Sequence, residues 1–270
     1  MCGRYALAKD PAALAEEFDA ADGITGSDWQ GPEYNVAPTT TVAAVVDRHP
    51  RDDAGTPDPS RTVRSLRPMR WGLVPGWARD VSVGNRLINA RAESIVEKPA
   101  FRRAAASRRC LLPADGWFEW LRDGSHKTPY FMTLPSGASL ALAGLWETWR
   151  SPDSPADAGP LVSATVVTVD SAGPLSEIHH RMPLVLPAER WADWLDPDRA
   201  DPTELLVPAP DEFLAAIEMR QVASLVNNVR NHGPELVVEH VETPEQGGLD
   251  LEGVGTSADE PASDPAPNPA

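Results

Sequence analysis

The stretch RRCLLPADGWFEWL, residues 108–121, is typical of the segments that make up the centre of this chain. Similar short, apolar segments recur on both sides of it, separated by turn sequences such as RDGS and LPSG. They are VRSLRPMRWGLV, RLINARAES, PYFMTL, LALAGLWETW and SATVVTVD. Strands predominate, and the regular alternation of strand and helix that builds a parallel sheet is missing. The pattern therefore predicts an α+β protein, a single domain with a mixed, curled or barrel-like β-sheet core.

Helices are expected at the periphery of this core. Residues Asp10–Phe18 predict a helix because Asp10 can cap it, Pro11 suits the first turn, and Leu14 and Phe18 fall on one face. Further helices are predicted within KPAFRRAAAS, PAERWADWL and PDEFLAAI. Short strands are predicted at residues 2–7 and Thr40–Val46, and the hydrophilic residues 47–61 predict a mobile hairpin loop.

The last segment of the chain differs in composition from the rest. Residues 242–270 are rich in Pro, Gly, Ala and acidic residues and contain few large apolar side chains. Such a segment cannot bury enough surface to offset the entropy lost on ordering. We therefore expect a folded domain over residues 1–241 and a disordered acidic tail over residues 242–270.

Charge is unevenly distributed along the chain. The net charge of the 270 residues is −16, yet residues 61–127 contain 14 Lys and Arg against 6 Asp and Glu. A basic central third within an acidic chain indicates either a polyanion-binding surface or an ordinary solvated surface. The two cysteines and the absence of an apolar leader or membrane-length segment predict a cytoplasmic protein without disulfides.

Cys2 is the first candidate for chemistry. A thiol so close to the chain start is expected to be badly placed for a core. If Met1 is removed, Cys2 presents a thiol and a free α-amine two carbons apart. The amine of such a 1,2-aminothiol condenses with an aldehyde, and the thiolate then closes a five-membered thiazolidine ring. Taken alone, however, a cysteine at position 2 is also compatible with an incidental residue.

Two polar groups on predicted strands are further candidates. Asn89 and Arg91 alternate with apolar residues, as on a strand with one polar face that could bind phosphate or a substrate oxygen. On a strand, Trp117 and Glu119 would share one face and Phe118 and Trp120 the other. A carboxylate desolvated by neighbouring aromatic rings suits acid–base work. A solvent-facing strand and a salt bridge remain the simpler alternatives.

The pair His179–His180 precedes Arg181 and an apolar run. Adjacent strand residues point to opposite faces and no companion ligand has metal spacing, so a metal site is disfavoured. Proton transfer by one histidine is the better functional interpretation, with a structural histidine as the alternative.

Taken together, these stretches resemble the SRAP family, named for SOS response-associated peptidases. Six signatures occur in the family's order and approximate spacing: MCGRY at the chain start, YNVAPT at 34–39, RWGLVPGW at 70–77, NARAES at 89–94, ADGWFEW at 114–120 and IHHRMPLVL at 178–186. The resemblance extends from residue 2 to about 238. It implies the SRAP fold, whereas the insert at about 48–61 and the acidic tail are not part of the shared pattern.

The resemblance implies capture of abasic sites in single-stranded DNA as a covalent thiazolidine cross-link, which protects the lesion during replication. The resemblance implies that Cys2 is the nucleophile, that Asn89 positions the sugar and that Arg91 binds a phosphate. Glu119 would move protons, and His179 would assist ring opening and cross-link reversal.

The resemblance also implies how the protein meets DNA. The positions that match the DNA path are Arg4, Asn35, Trp77 and Arg181, with Trp77 as a stacking plate. No metal and no cofactor are expected. The expected partner is single-stranded DNA that contains abasic sites, including junctions with duplex DNA. We expect a monomer that associates with the nucleoid when it is bound to DNA.

Two other classes of function remain open at this stage. An N-terminal-nucleophile hydrolase also uses the α-amine of a terminal cysteine as its base, and a peptidase could use Cys2, Glu119 and His179 as a triad. A passive module could instead bind modified DNA without any covalent step.

Overall fold

The computed structural model describes residues 2–155 and 159–240, and the chain up to His240 forms one compact unit. The helices of the described residues are α1 (Pro11–Glu17), α2 (Arg102–Ser107), α3 (Trp191–Leu195) and α4 (Asp211–Ala215). The strands are β1 (Tyr5–Leu7), β2 (Glu33–Val36), β3 (Thr41–Arg48), β4 (Val63–Trp71), β5 (Asn89–Arg91), β6 (Arg109–Ala114), β7 (Gly116–Asp123), β8 (His126–Thr133), β9 (Leu140–Trp149), β10 (Leu161–Asp170), β11 (Arg181–Pro183) and β12 (Glu218–Gln221). The predicted acidic tail lies outside the described residues, so its disorder and the domain boundary stay predictions.

One sheet closes on itself. Its order is β11-β10-β4-β3-β6-β9, and β9 also pairs with β10, so that five strands form a ring. Strand β10 pairs with four other strands. It runs parallel to β4 and β5 and antiparallel to β9 and β11. The prediction of a mixed, curled sheet with few, peripheral helices is thereby confirmed.

A second sheet has the order β12-β8-β7-β1-β2, and all its pairs are antiparallel. The two faces of β7 pack into different cores. Trp117 belongs to the large core that contains the ring, whereas Phe118 packs with Phe131 in a smaller cluster. This alternation is the one that the sequence around Glu119 predicts.

The segment 108–121 is divided between the two sheets, which its sequence does not indicate. The division falls at Asp115, whose backbone N–H donates to the Ala6 carbonyl at 2.7 Å and whose carboxylate accepts from the Ala8 N–H at 2.6 Å. Gly116 follows immediately, and a side chain there would collide with the Met132 carbonyl and the Phe131 ring. The chain can therefore cross from β6 to β7 only with a glycine at this position.

Most predicted elements appear with different boundaries: the four helices and β1 are shorter than predicted, whereas β3, β8 and β10 are longer. Asp10 caps α1 by accepting the Ala13 N–H at 2.8 Å, as predicted. The predicted hairpin at residues 47–61 connects β3 to β4, while its mobility stays a prediction. RLINARAES contributes only the three residues of β5, because 3-10 helices at Val81–Arg86 and Ala92–Ser94 flank it.

Candidate functional site

The beginning of the chain is buried, contrary to the expectation from its sequence position. Cys2 is fully buried in the large core. The reason is the pairing of β1 with β7, in which Tyr5 lies opposite Trp117 and the Phe118 N–H donates to the Arg4 carbonyl at 2.9 Å. This pairing draws the residues before β1 inward and alongside the strand that carries Glu119.

Asn89 holds Cys2 through its main chain. The Asn89 side-chain amide Nδ2 donates to the Cys2 carbonyl oxygen at 2.7 Å, across 87 positions of sequence. Asn89 reaches this place because β5 pairs with β10, with Asn89 opposite Val166. Ala90 between the two candidates is buried and Arg91 is exposed, which confirms the predicted alternation of the strand.

Glu119 lies close enough to influence the thiol. Burial raises the pKa of the Cys2 thiol far above its ordinary value, and the negative charge of Glu119 raises it further. Glu119 itself is only 4 % exposed on β7, opposite Tyr130 of β8. A thiol in these surroundings is protonated at neutral pH, so ionisation must be coupled to a group that accepts its proton.

His179 precedes β11, which pairs with the end of β10. Burial lowers the pKa of His179, and the nearby Glu119 carboxylate partly opposes this shift. His179 Nδ1 lies 2.9 Å from the Arg181 backbone nitrogen and 3.0 Å from the Arg181 carbonyl oxygen, so it can accept from the first or donate to the second. The ring also stacks on His180 at a centroid distance of 4.3 Å. His179 is thus a half-buried imidazole that favours the neutral form, which can accept a proton.

Glu119 and His179 open onto a cleft of about 800 Å³. Its lining comprises Arg91, Glu119, Trp120, Arg122, Lys127, His179, His180 and Asn227. Three of these residues are cationic and exposed, which suits a phosphate backbone. Sequence reasoning missed Trp120, Arg122, Lys127 and Asn227. The cross-strand pair Arg122–Lys127 could have been found from the turn RDGSHK, which connects β7 to β8.

Arg4 and Asn35 hold a loop rather than face the cleft. Arg4 Nη1 donates to Asn35 Oδ1 at 2.7 Å and to the Val226 carbonyl at 2.9 Å. The buried Asn35 amide donates to the carbonyls of Asn228 and Asn231, at 3.1 and 2.9 Å. The pair therefore fixes residues 226–231, a loop that also supplies Asn227 to the cleft wall.

Arg181 and Trp77 also lie apart from the cleft lining. The buried Arg181 guanidinium donates to Glu93 and Asp170, both at 2.6 Å, so the chain's own carboxylates occupy it. Trp77 is 62 % exposed and lines a separate shallow pocket with Arg103 and Glu147. DNA contacts by Arg4, Asn35, Trp77 and Arg181 stay predictions.

A second cavity of about 570 Å³ is more apolar than the cleft and lies between β2 and residues 29–32. Glu119 and His179 do not line it, so we place the site in the cleft. Within residues 2–155 and 159–240, no group of three or more His, Cys, Asp or Glu is arranged to hold a metal ion. No helix in the same residues is long and apolar enough to cross a membrane.

Cys110, the other cysteine, is fully buried in β6. Burial raises the pKa of its thiol. It therefore has the character expected of a packing residue.

Comparisons with known proteins agree on one family. The family model described as SOS response associated peptidase (SRAP) matches residues 1–229. The protein "Abasic site processing protein YoqW" of Bacillus subtilis is 35 % identical over 241 residues, covering 89 % of this chain and all of that protein. "Abasic site processing protein HMCES" of Gallus gallus is 30 % identical, covering 88 % of this chain and 77 % of that protein.

Solved structures show the same fold. A crystal structure of a protein from Bacteroides thetaiotaomicron superposes with a TM-score of 0.73 at 22 % identity, covering 89 % of this chain and all of that one. A family model over most of the chain and relatives at this identity are sufficient for assignment. The chain belongs to the SRAP family.

Proposed function

We propose that this protein captures abasic sites in single-stranded DNA by forming a covalent thiazolidine at Cys2 once Met1 has been removed. The observation that carries the proposal is the hydrogen bond from Asn89 Nδ2 to the Cys2 carbonyl, beside Glu119 and next to a cationic cleft. The names of the Bacillus and chicken relatives support the same substrate.

The chemistry uses both groups of the terminal cysteine. The Cys2 α-amine attacks the aldehyde carbon of the ring-opened sugar, and loss of one water gives an imine. The Cys2 sulfur then adds to the imine carbon, while the thiol proton ends on the nitrogen. Aldehyde and aminothiol thus give a thiazolidine and one water, with no oxidant or metal in the balance.

Glu119 is the proton carrier of this scheme. Its carboxylate lies within electrostatic range of the Cys2 thiol and of His179. It accepts the proton that the thiol or the new ammonium must lose and returns it to the departing hydroxyl. Asn89 is a positioning residue, because it fixes the Cys2 main chain without needing to exchange a proton.

His179 supplies the second proton relay. The neutral imidazole can accept the C1 hydroxyl proton of the closed sugar and, as imidazolium, return it to the ring oxygen, which gives the open aldehyde. The same proton transfers, run backwards, open the thiazolidine, so His179 also assists reversal of the cross-link.

The DNA is held through its backbone. Arg91, Arg122 and Lys127 are the cleft cations best placed to contact phosphates, and Trp77 offers an exposed ring for base stacking. The partner is single-stranded DNA, including junctions with duplex, and the protein acts as a cytoplasmic monomer that joins the nucleoid through DNA. Such contacts carry little sequence information, so capture depends on the aldehyde rather than on the neighbouring bases.

The test combines purified protein with an oligonucleotide in which uracil glycosylase has created one abasic site. A shifted band on a denaturing gel is expected for the wild type and for the control Cys110→Ala, and none for Cys2→Ala. The mass of the adduct should equal protein without Met1 plus DNA minus one water. An equal yield with undamaged DNA would refute aldehyde capture.

The same preparation separates the alternatives. Ammonia release from glutamine, lost in Cys2→Ala, would mark an N-terminal-nucleophile hydrolase instead. DNA binding that is identical in wild type and Cys2→Ala, without any adduct, would mark a passive binding module.

A further inference from the structure

A second cationic pocket lies at the far end of the β3–β4 hairpin, away from the residues that line the cleft. It has a volume of about 250 Å³. Its lining comprises Arg48, His49, Pro50, Arg51, Val63, Ser65 and Arg67. Arg48, Arg51 and Arg67 are exposed, so their charges face solvent on one surface of the molecule.

These three guanidiniums have no carboxylate partner among the described residues, unlike their neighbours. Arg64, between them in the hairpin, is paired with both oxygens of Asp47, at 2.9 and 3.1 Å. Burial lowers the pKa of Arg48, and the positive charges of Arg51, Arg67 and Arg108 lower it further. Like charges held together without a counter-charge favour the binding of an anion, which relieves their repulsion.

The remaining polar groups of the pocket leave this charge in place. His49 contacts the Arg61 carbonyl at 2.7 Å and the Asp198 carboxylate at 3.1 Å, and the Asp58 carboxylate also acts on it electrostatically. The Ser65 hydroxyl accepts the Arg67 Nε–H at 3.1 Å. The two carboxylates that act on His49, those of Asp198 and Asp58, carry two negative charges against three guanidiniums, so the pocket remains cationic.

A series of side-chain contacts leads from this pocket to the shallow pocket that contains Trp77. Arg48 lies over the Trp146 ring at 5.0 Å from the centroid, and Arg108 lies over the same ring at 5.8 Å. Arg108 pairs with Glu147 at 2.6 Å, and Glu147 lines the shallow pocket that contains Trp77. Trp146 and Glu147, which connect the two pockets, are themselves buried.

We propose that Arg48, Arg51 and Arg67 form a second phosphate-binding site, which holds the nucleic-acid backbone at a distance from the cleft. The choice of DNA as the polyanion rests on the proposed function. The phosphodiesters of the backbone supply the negative charges that the three guanidiniums lack. Arg48 and Arg51 belong to the segment at about 48–61 that the resemblance predicts to be outside the shared family pattern.

The test measures reversible binding of undamaged DNA by fluorescence anisotropy over a range of salt concentrations. The variant is Arg51→Gln with Arg67→Gln, because Arg48 packs on Trp146 and its replacement could disturb the fold. The matched control is Arg86→Gln with Arg199→Gln, which removes two positive charges from residues outside the pocket. Oligonucleotides of 8 and 40 nucleotides are compared.

For the long DNA, we expect the salt slope of log K to fall by about 1.4 in the variant, about 0.7 for each lost phosphate contact in single strands. The short DNA and the control should keep the wild-type slope. An unchanged slope for long DNA, or an equal fall in the control, would overturn the proposal. A thermal shift by inorganic phosphate that the variant loses, with the long-DNA slope unchanged, would also overturn it in favour of a small-anion site.

Cross-linking of an 8-nucleotide abasic DNA separates this proposal from the proposed function. The yield should be the same in the variant and the wild type, since Cys2 and the cleft are intact. A wild type that binds long DNA with the expected slope but forms no adduct would refute covalent capture while leaving the second site standing.

Discussion

Replacing Asn89 by alanine tests whether the Cys2 main chain must be held in place for capture. The substitution removes the Nδ2 donor that lies 2.7 Å from the Cys2 carbonyl oxygen. Cys2, which carries this acceptor, is fully buried. Depriving a buried carbonyl of its donor costs about 1–3 kcal/mol. For a domain of this size, the melting temperature should fall by roughly 2–12 °C, at about 2–4 °C per kcal/mol.

The same energy affects the rate if the hydrogen bond holds Cys2 in its reactive position. A loss of about 1–3 kcal/mol corresponds to a roughly 5- to 150-fold slower single-turnover cross-linking rate, at about 1.4 kcal/mol per tenfold. The assay is run at 25 °C with saturating abasic DNA and quenched time points. Affinity for undamaged DNA should be unchanged, since the cationic side chains of the cleft are intact.

Two variants sharpen this experiment. Asn85→Ala is the control, because Asn85 also forms a hydrogen bond, with Arg70 at 2.6 Å, but is exposed; its effect should stay within about 0.5 kcal/mol. Asn89→Asp keeps the shape and removes the donor, so it should be at least as slow as Asn89→Ala. A wild-type rate for Asn89→Asp would refute the reasoning.

The other predictions concern proton transfer and packing. Because the pKa of His179 is lower in the folded than in the unfolded chain, the unfolded chain binds a proton at a higher pH. The free energy of unfolding, measured by urea titration, should therefore decrease as the pH falls below about 6.5. In His179→Gln this decrease should be smaller. Asn35→Ala strips donors from buried loop contacts and should cost about 1–3 kcal/mol, with faster hydrogen exchange at residues 226–231. Gly144→Ala should destabilise by about 1–3 kcal/mol in chemical denaturation, because its Cβ would collide with Leu112 and lie 2.8 Å from Cys110 Sγ.

The local sequence pattern predicted secondary structure correctly wherever neighbouring residues determine the backbone conformation. Alternation of apolar side chains predicted β7 and its two faces, and a capping aspartate with a following proline predicted α1. The candidates Cys2, Asn89 and Glu119 were recognisable because their chemistry is carried by the side chain itself. Cleft residues on the RDGSHK turn were missed, since a charged turn is common on any surface.

The sequence by itself determined the strands, the positions of the helices and the inventory of reactive groups. Only the tertiary structure decided that Cys2 is buried, that Asp115 divides one apolar run between two sheets, and that Asn35 and Arg181 bind the protein's own groups. The reason is sequence distance. Arg4 meets the Val226 carbonyl across 222 positions, and Asn89 meets Cys2 across 87, so these contacts exist only after the sheets have closed. Secondary-structure propensity depends on residues close in sequence and therefore does not predict such distant partners. Burial and hydrogen bonding in the folded chain depend on these partners.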